Sequence, residues 1–250
     1  MKNMSTPLPR VKSALRRQAI RTAASQSARK RASPETEKLG LADQARLRLQ
    51  EMIVNLELPP GSVWSEMELS KRLGIGRTPV REALQRLEAD HLVEIIRRHG
   101  ARVTEINVEQ QLLLLELRRE LERLTASRAA RRRTQAEAER FAQLAEELLA
   151  VGRTGDVVAF QRLHSGAARF ALACARNRFT AAAMEPCIAI SHRFYYLHYR
   201  KARDLETATR FHANVMKAIA AGDEQRAMAA ADRLMDYVES FTRATVNERF

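Results

Sequence analysis

A twenty-residue stretch beginning at Ser65 has the pattern of two short helices joined by a tight turn. Ser65 and Glu68 have the spacing of a capping box, in which each side chain bonds a free backbone N–H of the first helical turn. Gly74 stands where a helix commonly ends in a left-handed residue. Thr78 and Pro79 then supply a cap and a first-turn proline for a second helix. The stretch therefore predicts a helix–turn–helix.

The second predicted helix has one apolar face and one basic face. The apolar side chains, which recur at helical spacing and face the core, are Val80, Ala83, Leu84 and Leu87. Arg77 and Arg81 lie on the outside of the helix. They are interpreted either as part of a solvated surface or as DNA contacts. Arginine can bond guanine O6 and N7 with two donors or bind phosphate, and the sequence does not distinguish these two roles.

Two β-prone runs follow, at residues 92–96 and 101–106, around the basic turn Arg97-Arg98-His99-Gly100. The pattern predicts a hairpin with a glycine at its tip. A helix–turn–helix followed by a basic hairpin is a winged helix, with its second helix in the major groove and its wing on the backbone or minor groove. His99 is either a plain turn residue or a groove contact.

These residues resemble the GntR family of bacterial transcription regulators over residues 39–106. The matching elements are Pro60-Gly61, Glu66, Leu69, the block Arg77-Thr78-Pro79-Val80-Arg81-Glu82-Ala83-Leu84, Leu87-Glu88, Leu92-Val93 and Arg98-His99-Gly100 before Val103. The DNA-binding residues implied by the resemblance are Arg77, Thr78, Arg81, His99 and Gly100. Gly76 departs from the family, which usually has Ser or Thr there. The missing hydroxyl should weaken DNA binding without abolishing it.

Charge is distributed unevenly along the 250 residues, whose formal net charge of +13 favours a polyanionic partner. Residues 39–106 carry ten basic and ten acidic side chains, so the predicted winged helix is neutral and its DNA affinity depends on where the arginines sit. Residues 1–38 carry ten basic and two acidic side chains. That composition predicts a disordered extension that adds nonspecific DNA affinity by counterion release. An extension without function, or a misassigned start, is the alternative.

Several classes of protein are not expected. No apolar run approaches the ~20 residues of a membrane span, so no membrane partner is expected. Cys174 and Cys187 show neither metal-motif spacing nor the pattern of a nucleophile, which suits a reduced, cytoplasmic protein. An enzyme is not expected either, because the chain has no phosphate-binding glycine loop, no nucleophile–base pair and no dense carboxylate cluster.

Helical periodicity dominates residues 107–250. It predicts about six helices, near residues 107–132, 134–151, 156–174, 179–200, 204–221 and 223–245. Short loops and the lack of further strands indicate an all-α antiparallel bundle. The predicted fold is therefore mainly α, with a winged helix–turn–helix at residues 39–106 and a helical effector-binding and dimerisation domain at residues 107–250.

The order of these helices resembles the FCD ligand-binding domain. The matching elements are Arg118 with Leu121-Glu122, Gly155-Asp156, Asn177, His212 and Gly222-Asp223. Many FCD domains hold a divalent metal through an Asp and a His four residues apart on the third helix, with one His from each of two later helices. Such spacing places two ligands on one helical face.

That ligand set is incomplete in this chain. His164 stands at the position of the Asp, an alanine occupies the next ligand position, and Leu234 lies where the last His would be. His212 matches its family position, and Asp232 or Asp236 is the possible substitute. No cofactor is therefore predicted. If a metal were present its ligands would be His164 and His212, and the alternative is that both line a polar cavity.

Without a metal, an internal cation would orient the effector, which the resemblance implies is a small organic acid. Arg118 is the candidate by family position. The aromatic–basic segment at residues 191–200 would carry on one helical face His192, Tyr195, Tyr196 and Tyr199, with Arg193 beside it. This face is interpreted either as core packing with a dimer face or as a pocket wall. The predicted effector-binding residues are Arg118, His164, His212, Arg193 and Tyr196.

The sequence as a whole predicts a sequence-specific transcription regulator that binds double-stranded DNA as a homodimer. One winged helix contacts too few bases, whereas a twofold dimer recognises a pseudo-palindromic operator. Repression is expected, with the effector shifting the two winged helices and lowering DNA affinity. Activation is not excluded by the sequence. The alternative is an effector-independent, architectural DNA-binding protein.

Overall fold

The computed structural model of the chain describes residues 39–202 and 204–245. The predicted basic extension, residues 1–38, lies outside the described residues. Within the described ranges the chain forms nine helices and one small sheet, so it is mainly α, as predicted. No helix in these ranges is both long and apolar enough to cross a membrane.

The N-terminal part is a winged helix–turn–helix. Its elements are α1 (Leu41–Val54), β1 (Val63–Trp64), α2 (Glu66–Leu73), α3 (Arg77–Ala89), β2 (Val93–Ile96) and β3 (Gly100–Val103). The predicted capping box is present: the Ser65 hydroxyl accepts from the Glu68 N–H, and the Glu68 carboxylate accepts from the Ser65 N–H. Gly74 ends α2 with φ of 68°, in the left-handed region. These two residues fix both ends of α2.

The start of α3 differs from the prediction. Gly76, not Thr78, is the N-cap, and it provides no side-chain bond to the helix. The Val80 N–H donates to the Gly76 carbonyl at 3.3 Å, so the helix already begins at Arg77. Pro79 has no N–H to satisfy and therefore sits without cost inside the first turn. The predicted capping role of Thr78 is wrong.

The sheet has three antiparallel strands in the order β1-β3-β2. Strand β1 was not predicted; it pairs with β3, with Val63 opposite Arg102. Gly100 begins β3 at φ of 108°, and a Cβ there would collide with the Trp64 carbonyl oxygen. Gly100 is therefore required by the close passage of β1. The left-handed residue in the hairpin turn is Arg98, with φ of 66°.

The C-terminal part contains the six predicted helices. They are α4 (Val108–Arg132), α5 (Gln135–Thr154), α6 (Val157–Ala175), α7 (Arg178–Ala202), α8 (Leu205–Ala221) and α9 (Glu224–Ala244). Asn107, Thr134 and Asp223 each accept backbone N–H bonds at a helix start. Helix α5 packs mainly on α8, and α4 packs mainly on α9. The local caps thus fix the boundaries, and the apolar faces fix the pairing.

Helix α7 is shared between two cores. The bundle core includes Phe141, Leu148 and Phe194, and a separate core in the winged helix includes Leu49 and Leu87. Ala189 of α7 is buried in the winged-helix core, and Ile190 packs against it. Burying a large aliphatic side chain stabilises a fold by about 1.5–3 kcal/mol, so each core is an independent source of stability. Helix α7 joins the two.

Candidate functional site

The outer face of α3 presents two arginines beside a glutamate of α2. The Arg77 and Arg81 side chains are 65% and 59% exposed. Arg81 donates from Nε and Nη2 to the two carboxylate oxygens of Glu66, at 2.7 and 2.8 Å. Arg77 reaches the same carboxylate at 3.5 Å. The Arg81 hydrogen bond is the largest cause of the lowered pKa of Glu66, so the carboxylate stays charged and orients both guanidinium groups.

The remaining residues of the expected DNA-contact set occupy two places. Thr78 is exposed in the first turn of α3, between the two arginines in sequence. His99 is exposed on the hairpin turn, where its Nδ1 lies 2.9 Å from the Arg97 carbonyl oxygen. Gly100 packs against β1 and carries no side chain. The structure therefore gathers Arg77, Thr78 and Arg81 at the start of α3, whereas His99 and Gly100 belong to the wing.

A second site lies inside the bundle, between α4, α6, α7 and α8. Its cavity, named the polar cavity after the arginine and histidine side chains in its wall, has an empty volume of about 350 Å³, open space at its entrance included. The polar and aromatic side chains lining it are Arg118, His164, His192, His212, Tyr195 and Tyr199. An adjoining cavity shares His164 and His212 and is also lined by Met184, Met216 and Leu234. His164 and His212 therefore line both cavities.

In the polar cavity His164 contacts two further histidines, His192 and His212, each from a different helix. His192 Nε2 lies 2.8 Å from His164 Nδ1, and the His164 and His212 rings are 4.0 Å apart between centroids. Burial, aided by the nearby Arg118 charge, lowers the pKa of His192 and of His212 to about 3. Burial also lowers the pKa of His164 well below its usual value. The three rings are therefore neutral at neutral pH.

Arg118 is the cation of this cavity, and its side chain is buried. Its Nε and Nη2 donate to one carboxylate oxygen of Glu122, at 3.2 and 3.0 Å. Burial opposes the charge on Arg118 most strongly, but the attraction of Glu122, Tyr195 and Cys187 together outweighs it, so the pKa of the arginine is raised. Within the described ranges, Nη1 makes no hydrogen bond. Arg118 thus remains charged and retains donors for a further acceptor.

The cavity does not fit a divalent metal. In the part of the chain that the structure describes, no three His, Cys, Asp or Glu side chains are placed to hold a metal ion. His164 and His192 bond one another, and Glu122, the acidic residue beside the cavity, pairs with Arg118. Leu234 contributes only an apolar wall.

The acidic side chains considered as substitute ligands lie elsewhere. Asp232 pairs with Arg123 at 3.3 Å, and Asp236 pairs with Arg119 at 2.8 Å. Both pairs bridge α4 and α9. The suggestion that either aspartate completes a metal site is therefore wrong, because their carboxylates are paired with arginines of α4.

Two of the expected effector residues do not line this cavity. Arg193 points to the winged helix: its Nη1 donates to the carbonyl and hydroxyl oxygens of Thr104, each at 2.9 Å, and its Nη2 to the Glu105 carbonyl at 3.2 Å. One residue along a helix turns the side chain by about 100°, which separates Arg193 from His192. Tyr196 is buried but does not line the cavity either, unlike Tyr195.

The tyrosines that do reach the cavity also stabilise the core. The Tyr195 and Tyr199 rings stack with centroids 5.4 Å apart. The Tyr195 hydroxyl is 2.9 Å from the Thr242 hydroxyl and accepts from Gln111 at 3.3 Å. Core packing and pocket wall, the two interpretations of this segment, therefore apply to the same side chains.

Comparison with known proteins places both halves of the chain. Residues 41–103 match the family described as bacterial regulatory proteins, gntR family, and residues 113–237 match the FCD domain. An uncharacterized HTH-type transcriptional regulator in an unstable DNA locus of Streptomyces ambofaciens is 41% identical over 61 residues, 24% of this chain and 26% of that protein. The HTH-type transcriptional repressor RspR of Escherichia coli K12 is 32% identical over 106 residues, 42% of this chain and 46% of that protein. The chain thus spans less than half the length of either relative.

A solved structure shows the same fold over most of the chain. E. coli McbR/YncC superimposes with a TM-score of 0.73 at 19% identity, covering 84% of this chain and 100% of that one. At this level of identity the likeness concerns the fold alone. It agrees with a winged helix followed by a helical bundle.

Proposed function

We propose that this chain, which belongs to the GntR family of bacterial regulatory proteins and carries an FCD domain, is a homodimeric repressor released from its operator by a small organic acid. The family assignment makes it a DNA-binding transcription regulator and not an enzyme. What we propose beyond the family assignment is that the chain forms a dimer, that it represses transcription, that its effector is an organic acid, and that the residues named in this subsection bind the DNA and the effector.

DNA recognition is assigned to the start of α3. Arg77 and Arg81 are exposed there, and Glu66 limits the freedom of both guanidinium groups before DNA arrives. An α-helix fits the major groove, where a bidentate arginine selects guanine. When Arg81 contacts DNA, it must share or break its hydrogen bonds to Glu66. A DNA contact that offers Arg81 only a single weak acceptor does not compensate for these bonds, so Glu66 disfavours such contacts.

The effector site is assigned to the polar cavity. A carboxylate entering it would meet the free Nη1 of Arg118 and the neutral ring nitrogens of His164 and His212. Charge-assisted bonds from a buried guanidinium are among the stronger hydrogen bonds in proteins. The neutral imidazoles can donate or accept without adding charge, which suits a weak organic acid.

Helix α7 carries the proposed coupling between the two sites. His192 lies in the cavity, and the next residue, Arg193, bonds the backbone at the end of the winged helix. A shift or rotation of α7 on effector binding therefore changes the placement of the winged helix. The observation on which the proposal chiefly rests is this adjacency, since one helix contacts both the cavity and the winged-helix domain.

Repression is proposed because it follows most simply from operator occupancy. The E. coli relative RspR, which is named a transcriptional repressor, supports the same sign. An effector that binds the DNA-free arrangement more tightly than the DNA-bound arrangement lowers the affinity for DNA. The loss is set by the ratio of the effector's affinities for the two arrangements.

The test combines melting with DNA binding. The purified chain is melted with a panel of small carboxylic, sugar and amino acids, and each compound that raises the melting temperature is added to an operator complex followed by fluorescence anisotropy. We expect one chemical class to raise the melting temperature and to release the DNA, and Arg118→Met to abolish both effects. No shift from any compound, with unaltered DNA binding, would favour the effector-independent alternative.

A further inference from the structure

The cavity that adjoins the polar cavity is large enough for part of a ligand. Its empty volume is about 450 Å³, open space at its entrance included, and residues of α4, α6, α7, α8 and α9 line it. Most of these lining residues are Ala, Val, Leu, Ile or Met. Because His164 and His212 line both cavities, a ligand that lies against these two rings extends from one cavity into the other.

Two of the apolar walls stand where the FCD resemblance places metal ligands. Ala168 follows His164 by one turn of α6, and Leu234 lies on α9; both line the adjoining cavity. Hydrocarbon groups thus occupy positions that a metal-binding member fills with imidazoles. The space beside them favours an apolar part of a ligand, because apolar surface gains from leaving water.

Two polar side chains line the adjoining cavity without reaching the polar cavity. Glu122 is one, and its carboxylate accepts from Arg118 at 3.0 Å. The other is Thr125, which is 4% exposed and whose hydroxyl has no hydrogen-bond partner within the described ranges. A buried polar group without a partner is unfavourable, so this hydroxyl is available to a polar atom of a ligand. The charge of Glu122 disfavours a second carboxylate in the same space.

Arg118 and Thr125 lie on the same face of α4. They are separated by seven residues, which is about two helical turns and about 10 Å along the axis. Arg118 lines the polar cavity and Thr125 the adjoining one. An extended chain advances about 1.2 Å per bond, so about eight bonds span this separation.

We infer that the effector is a monocarboxylic acid with a hydrocarbon chain of about eight carbons and a neutral hydrogen-bonding group at its far end. The carboxylate binds Arg118 in the polar cavity, and the chain passes His164 and His212 into the adjoining cavity. The far group bonds the Thr125 hydroxyl. The inference rests on the effector site of the proposed function and names the chemical class of its ligand.

Titration calorimetry of the full chain with straight-chain monocarboxylates of four to ten carbons tests the class. We expect the affinity to rise about fourfold for each added methylene group and to stop rising near eight carbons. Octanedioate should bind more weakly than octanoate, because its second carboxylate meets the charge of Glu122.

A filled cavity tests the place of the chain. Ala168→Leu should weaken octanoate binding at least about tenfold and leave butanoate binding unchanged, because only the longer chain reaches the new side chain. Ala173→Leu, at an exposed position of the same helix, is the matched control and should bind both acids as the wild type does. The melting temperature of each variant without ligand shows whether it is folded.

The unpartnered hydroxyl is tested by a variant of similar shape. The wild type should bind 8-hydroxyoctanoate more tightly than octanoate, and Thr125→Val should lose this preference while still binding octanoate. This comparison also decides the inference if the Ala168→Leu variant does not fold. Equal binding of the two acids by the wild type would remove Thr125 from the site.

The outcomes separate this inference from the proposed function. An affinity that does not rise with chain length, or an Ala168→Leu variant that binds octanoate as the wild type does, overturns the apolar chain. In that case short acids that still release the operator leave the proposed function intact. If no carboxylic acid of any length binds, both are overturned.

Discussion

His192 and Arg193 are neighbours on α7, yet their side chains contact different domains. His192 Nε2 lies 2.8 Å from His164 in the bundle, and Arg193 Nη1 donates to the Thr104 carbonyl oxygen at 2.9 Å, at the end of the wing. The Arg193 guanidinium is buried, and within the described ranges its hydrogen bonds go to Thr104 and Glu105. Any movement of this part of α7 therefore displaces contacts both in the bundle cavity and at the end of the wing.

Replacing Arg193 should uncouple the two domains. Arg193→Met removes the guanidinium bonds to Thr104 and Glu105 and leaves their carbonyl oxygens without this donor, at a cost of about 1.5–3 kcal/mol. We expect calorimetry to resolve two unfolding transitions where the wild type shows one. Arg162→Met, an exposed arginine on α6, is the matched control and should keep the single transition. A single unshifted transition in Arg193→Met would remove this residue from the coupling.

Replacing Arg81 should weaken operator binding without unfolding the protein. Arg81→Ala loses a groove contact worth about 1–3 kcal/mol, so affinity should fall about 5- to 150-fold and the salt dependence should drop by about one counterion. The ion pair with Glu66 is exposed on the arginine side, and such pairs contribute about 0–1 kcal/mol, so the melting temperature should hardly change. Arg86→Ala, at the other end of α3 and paired with Asp43, controls for loss of charge. Equal losses in both variants would argue for a bulk charge effect.

Stability should fall as the pH drops from about 6.5. Burial lowers the pKa of His192 and of His212 to about 3 in the folded chain, whereas an unfolded histidine titrates near 6.5. Between these pH values the unfolded chain binds protons that the folded chain does not. Each histidine therefore lowers the free energy of unfolding by up to about 1.4 kcal/mol per pH unit. Above pH 6.5 the histidines have no such effect. Urea unfolding at pH 7.5, 6 and 5 measures the slope. His212→Gln should reduce this slope by about one proton, and a slope equal to that of the wild type would contradict the buried, neutral state of His212.

Replacing glycine by alanine should change the stability of the chain in opposite directions at two positions. Gly100→Ala places a Cβ against the Trp64 carbonyl oxygen at a φ of 108°, which should cost at least about 1–3 kcal/mol and weaken DNA binding through the wing. Gly166→Ala lies within α6 with open space around the new Cβ, and it should stabilise the chain by about 0.5–1 kcal/mol. The urea midpoints of the two variants measure these changes in stability. A destabilisation of equal size at both positions would contradict the collision of the new Cβ with β1.

Local signals in the sequence predicted most of the helices. The capping box at Ser65 and the left-handed Gly74 depend on residues within one turn of each other, so spacing alone identified them. The apolar periodicity of the bundle is local in the same sense. The six bundle helices therefore followed from the sequence.

Features that depend on distant pairing were not predictable in this way. Strand β1 has two residues and exists only because β3 pairs with it, so the need for Gly100 could not be inferred without it. Periodicity placed His192 and Tyr195 on one face but gave no direction for it. That Arg193 bonds Thr104, and that three histidines from three helices meet, follows from the packing of α7 against both cores.

The central claim, that two winged helices of this chain bind a twofold DNA site, is tested most directly by sequencing genomic fragments that the purified protein retains at physiological ionic strength. The account predicts a shared inverted repeat whose half-site centres are about 10–10.5 base pairs apart. Retained fragments with no common sequence, bound no better than scrambled duplex, would contradict it.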